Sequence, residues 1–140
     1  MKARVLFPDA AAEACTLLRT ALAARPEAYA AGATVGTKVP DARSPEDPRL
    51  PLVLVALDGA TPHPSRLNAE VVLRISVWHA DNDQAHDLAQ LAAALLHTAA
   101  GPVIRSTRPG TGPVPGVDPD SGVALATLTL TANIAPTPLT

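Results

Sequence analysis

Residues 67–101 read LNAEVVLRISVWHADNDQAHDLAQLAAALLHTAAG, and within this stretch the apolar period changes from two to about 3.6. Over 67–79, Leu67, Ala69, Val71, Leu73, Ile75 and Val77 alternate with Asn68, Glu70, Arg74 and Ser76, the pattern of a strand with one buried face. From Asn82 or Asp83 onward, Ala85, Leu88, Ala89, Ala92, Leu95, Leu96 and Ala99 share one helical face. Gln84, Asp87 and Gln90 lie opposite, and Gly101 with Pro102 supplies the stop. A strand and a helix with one apolar face each must cover one another, so the chain reads as α+β.

Working outward, Asp9 stands as an N-cap before Ala11, Ala14, Cys15, Leu18, Ala21 and Leu22, which predicts a helix over 9–25. Arg19 and Arg25 fall toward its negative end, and Pro26 ends it. Residues 124–132 alternate Ala124, Ala126, Leu128, Leu130 and Ala132 with threonines, making the natural antiparallel partner of the 67–79 strand. LPLVLVAL at 50–57 is apolar on both faces and predicts a central strand covered on two sides, by helices and by a neighbouring subunit. Shorter strands are expected at 36–39 and 103–107. The expected fold is therefore a mainly antiparallel sheet of four to five strands with two helices packed on one face, in a single domain over 1–140. Proline and glycine concentrate at 41–49, 58–66 and 108–120, which are expected as long loops ordered against a partner.

At 140 residues, 14.3 kDa, net charge −2 and pI near 6.0, the chain lacks the basic field that non-specific binding to nucleic acid or an anionic membrane requires. Aromatics are 2%, too few for base-stacking platforms. Alanine dominates the apolar share, so the core is thin and association between copies is expected to supplement it. Cys15 has no internal disulfide partner and reads as a small buried hydrophobe in a reducing compartment. The start, MKARVLFPDA, has too short an apolar run for a signal-peptide core, and 122–140, though uncharged, has strand spacing; no membrane segment is expected.

The sequence offers no constellation for catalysis. His86 and His97 share a helix but stand about 16 Å apart along it, too far for one metal. His63 and His79 with Asp81 or Asp83 lack metal-ligand spacing, so surface histidines are expected. Asp118, Pro119, Asp120, Ser121 and Gly122 have a faint calcium-loop look, but the remaining acidic ligands are missing, and a turn into a strand accounts for each residue type. GTGPVPG at 110–116 lacks the following helix of a phosphate-binding loop, no nucleophile elbow surrounds Ser65, Ser76 or Ser121, and there is no Walker lysine. No catalytic, metal or cofactor-binding residue is assigned. Trp78 falls on the polar side of its strand, to cover a sheet end beneath the second helix's cap or to meet another subunit. Arg66 and Arg74 share that side and are placed to reach acidic groups on a neighbour.

Three motifs in order carry a resemblance: Val35, Gly36, Thr37, Lys38, Val39 and Pro40; Val77, Trp78, His79 and Ala80 before a helix; and Asp118, Pro119, Asp120, Ser121 and Gly122 before the last strand. Together they span most of the chain, and the pattern resembles the phage tail terminator (tail completion) family. The resemblance implies a structural virion protein without enzymatic activity or cofactor. It implies a ring of copies, a hexamer, at the head-proximal end of the tail, assembled in the host cytoplasm. Its partners would be the major tail tube protein and head–tail connector proteins, with DNA passing through the lumen without specific binding. The residues expected at interfaces are Lys38, Arg43, Arg66, Arg74, Trp78, Asp118 and Asp120, with edge strands and the proline loops supplying subunit contacts. A portal-side connector ring is the alternative within the same class. From a different class, the alternative is a small-molecule-binding or enzymatic α+β domain with its site under the 108–121 loop.

Overall fold

The computed structural model describes residues 5–6, 9–40, 49–62, 69–135 and 137–138. Strands β1 (Val5–Leu6), β2 (Thr34–Gly36), β3 (Leu52–Pro62), β4 (Ala69–His79), β5 (Ile104–Pro109), β6 (Val114–Val117), β7 (Ala124–Ile134) and β8 (Thr137–Pro138) accompany helices α1 (Ala10–Ala23) and α2 (Asn82–Thr98). The main sheet runs β2-β3-β4-β7-β5, with β6 also pairing β7, and β1 pairs β8 separately. All its pairings are antiparallel except that of β2 with β3. The fold is α+β, with six strands in the main sheet where four to five were expected.

The strongest sequence patterns became the strongest elements. β4 and β7 pair over eleven residues, Ala69 opposite Ile134 through His79 opposite Ala124, without a break. Their alternation sends Val71, Leu73, Ile75 and Val77, with Leu128, Leu130 and Ala132, into the core. Both helices pack on that face and against each other. Ala11, Ala14, Ala85, Ala89 and Ala92 are buried there, and such short side chains let each helix lie close to the sheet.

Local chemistry sets the helix starts. Asp9 Oδ1 accepts from Ala12 N at 3.1 Å and Asp81 Oδ2 from Gln84 N at 3.0 Å, each a side-chain N-cap. His79, 8% exposed, links the end of β4 to that second cap: its Nδ1 accepts from Asp81 N at 3.3 Å, so its Nε2–H donates to Tyr29 O at 3.1 Å.

Several expectations are corrected. The strand expected at 36–39 forms at 34–36 and runs parallel to β3, because Thr34 N donates to Pro51 O at 3.0 Å. β3 is second from the sheet's edge rather than central; Leu52 and Val53, which face opposite sides of the sheet, are both fully buried, and among the described residues the helices lie on the Val53 side. The strand continues past 57 to Pro62, since a bulge at Asp58 absorbs the expected loop start. Arg19 and Arg25 do not serve the end of α1: Arg19 Nε donates to Val35 O at 3.0 Å, and Arg25 forks onto Glu27, lowering that carboxyl's pKa. The expected loop at 108–120 contains the end of β5 and the whole of β6. Proline misleads here because both strands lie at the sheet's edge, where a missing N–H costs no ladder bond to a further strand.

Candidate functional site

Among the described residues no helix packs on the sheet's second face, although Leu52 on it is fully buried. By register that face consists of Leu52, Leu54 and Ala56 from β3, Glu70, Val72, Arg74, Ser76 and Trp78 from β4, and the β7 residues that oppose the latter. Those are Asn133, Thr131, Thr129, Thr127 and Leu125, all half-buried. Period-two patterning produces this surface directly: threonines and small apolar groups suit a pleated face without being driven into a core.

Ion pairs punctuate it. Arg108 Nη1 and Nη2 meet Glu70 Oε1 and Oε2 at 2.8 and 3.2 Å, a fork that raises the guanidinium's pKa further. Arg74 Nη1 lies 3.4 Å from Asp58 Oδ1, so the arginine expected to reach a neighbour's acid has one in its own chain.

Trp78 sits at one end of this face, away from the helices, so it does not cover the sheet beneath the cap of α2. Its Nε1–H donates to Asp118 Oδ2 at 2.9 Å. Asp118, 9% exposed, organises the turn into β7: Asp120 N donates to its Oδ1 at 2.9 Å, Ser121 Oγ to its Oδ2 at 3.0 Å, and Gly122 N to its carbonyl at 2.8 Å. Gly122 takes φ +72°, which glycine adopts without strain. The turn reading of this motif thus holds in detail, and no group of three or more His, Cys, Asp or Glu suited to a metal occurs among the described residues.

Of the residues expected at interfaces, the structure brings Trp78, Asp118 and Asp120 together at one end of the open face, with Arg74 farther along it. Lys38 is exposed just beyond β2. Arg43 and Arg66, like His63, lie outside the described residues.

A second feature was not legible in the sequence. β5 and β6 run along the same side of β7 in one direction, interrupted by residues 110–113. Gly110 N donates to Thr129 O at 3.1 Å, and Thr129 N donates to Thr111 O at 2.8 Å, so the interruption stays stitched to β7. Between this insert and α2 lies an open cleft of about 300 Å³, lined by Gln90, Ala93, Ala94 and His97 of the helix and by Pro109, Pro113 and the backbone of the insert. His97 is not a surface histidine. It is half-buried, with Nδ1 2.6 Å from Thr107 Oγ1, which itself donates to Leu96 O at 3.4 Å. The i, i+3, i+4, i+7 spacing of 90, 93, 94 and 97 is the only trace of this wall in the sequence.

No protein-family model matches the chain, and no curated protein is similar enough to it to indicate common ancestry.

Proposed function

We propose that this protein is a phage tail terminator, a subunit that forms a ring with copies of itself, seats on the last ring of the tail tube and offers the joining surface for head–tail connector proteins. A tube of stacked identical rings is an open heterologous assembly with no intrinsic end, so a different ring must bind one face and present a non-propagating surface on the other. Work of that kind needs complementary surfaces rather than a reactive centre.

The observation that carries the reading is the main sheet's second face, on which no helix packs among the described residues. Leu54, Ala56, Trp78 and Leu125 share it with the threonine row, which is broad, weakly charged and cross-linked by ion pairs made within the chain. Such a face suits contact with a large flat partner. The adjoining edge supports the same reading. Pro109, Pro113 and Pro115 interrupt the outer strand line of β5 and β6, and a proline-studded edge discourages runaway strand addition. The net charge of −2 per copy leaves a ring's lumen without a basic field to hold transiting DNA.

Electron microscopy of purified tail tubes with and without the protein tests the proposal. Capped ends and a narrowed length distribution are expected. Tubes that polymerise to the same lengths and never carry the protein at an end would overturn it.

A further inference from the structure

The main sheet ends in two edges, the β5–β6 line on one side and β2 on the other. Register decides which backbone groups each edge offers. Thr129 O accepts from Gly110 N and Thr129 N donates to Thr111 O, so the odd residues of β7 turn their ladder groups toward β5 and β6. Arg108 opposite Thr131 and Val114 opposite Thr127 therefore bond inward. Pro109 opposite Leu130 and Pro115 opposite Ala126 have their backbone groups directed outward. Both outward positions thus hold proline, whose nitrogen carries no hydrogen.

The groups around these prolines are engaged elsewhere. Gly110 N and Thr111 N donate to Thr129 O and Thr129 Oγ1, and Pro113 has no N–H. At the start of β5, Ile104 N donates to Glu13 Oε1 and Ile104 O accepts from Gly101 N. Of the outward positions in register with β7, Thr107 and Val117 keep an N–H, ten residues apart. The opposite edge is closed by other means. Thr34 and Gly36 bond to β3 in the parallel ladder, so Val35 between them faces out. Val35 is buried, and its carbonyl accepts from Arg19 Nε at 3.0 Å. An added strand requires donors and acceptors in alternation along an edge, and neither edge supplies that series.

We infer that the sheet is closed to strand addition at both edges, that Pro109 and Pro115 are the positions that keep a second copy off β5 and β6, and that copies of this chain meet through side chains rather than through a shared sheet. An edge open to its own kind would join copies into an open-ended sheet, which competes with any closed assembly. The inference does not rest on the tail reading. Its test uses the protein alone, so it can fail while end-capping stands, and the reverse.

The test restores the two donors. Pro109→Val combined with Pro115→Val is expected to self-associate at least about tenfold more tightly than the wild type in sedimentation equilibrium, because each new N–H completes a bond to a neighbouring copy. Pro109→Ala combined with Pro115→Ala adds the donors without β-branched apolar surface and should change in the same direction. In either double variant, hydrogen exchange at positions 109 and 115 should slow as concentration rises. In the wild type, the amides of Thr107 and Val117 should exchange at rates independent of concentration. Should a double variant fail to fold, Pro115→Ala alone, at an exposed position of β6, carries the same comparison. Folded variants that sediment as the wild type does overturn the role of the prolines, as does association of the valine variant without that of the alanine variant. Protection gained at Thr107 or Val117 when the wild type associates overturns the closed edge.

Discussion

Glu13 of α1 accepts the backbone N–H of Val103 at 2.8 Å through Oε2, and its Oε1 accepts from Ile104 at 3.2 Å. The bond joins residues 90 positions apart and fixes where β5 enters the sheet. Gly101 makes room for it, since a Cβ there would stand 1.8 Å from Glu13 Oε1. Glu13→Ala, leaving two part-buried donors unpaired, is expected to cost about 1–3 kcal/mol in urea unfolding. Gly101→Ala should be destabilising in the wild type and nearly neutral in the Glu13→Ala background, because its effect acts through the carboxylate. Additive losses would separate the two residues.

The Trp78–Asp118 bond is open to a direct optical test, because Trp78 is the chain's one tryptophan. Asp118→Ala removes the acceptor for Trp78 Nε1, Ser121 Oγ and Asp120 N. A red-shifted emission and a stability loss of about 1–3 kcal/mol are expected. Emission unchanged in the folded variant would show that the indole's position does not depend on this carboxylate.

Gly112 combines φ +87° with a backbone so close to β7 that a Cβ would meet Thr127 O at 2.5 Å. Gly112→Ala is expected to destabilise by roughly 1–3 kcal/mol. The effect should be local: amide exchange should quicken at Gly116 and Asp118, while Leu73 and Ile75 in mid-β4 keep their protection relative to the global stability. Uniform loss across both strands would mean that β6 unfolds only with the whole sheet.

Cys15 lies buried in α1, and desolvation raises its thiol pKa above the ordinary value of 9.0, against a smaller opposing influence from Arg19. A raised folded-state pKa means that the folded chain holds this proton longer than the unfolded one. Its contribution to stability is complete below the unfolded pKa and declines as pH climbs past it. Stability should therefore fall above about pH 9, and Cys15→Ala should flatten that slope in unfolding curves collected between neutral and alkaline pH. A thiol reagent at pH 8 should react slowly with the native protein and quickly in urea.

Periodicity alone located both helices, the β4–β7 pair and the fold class, because these elements depend on which residues face the core, and spacing records that directly. The turn at 118–122 was equally legible, since Asp, Pro, Ser and Gly each act there through local backbone chemistry. The proline-rich segments at 58–62 and 108–117 were misread for a related reason, while 41–48 and 63–66 lie outside the described residues. Composition registers a missing N–H, but whether that donor was needed depends on whether another strand lies beside it.

The cleft and the long-range contacts that close the fold lie beyond that reach. His97 and Thr107 are ten residues apart, Glu13 and Val103 ninety, and only the crossing of α2 over β7 and of α1 beside β5 brings each pair together. Sequence by itself determined that this chain builds two one-sided helices and long alternating strands. Which strands form the sheet's edges, and how the 110–113 insert and α2 enclose a cleft, was decided by tertiary packing, because those contacts join groups whose separation along the chain carries no periodic signal.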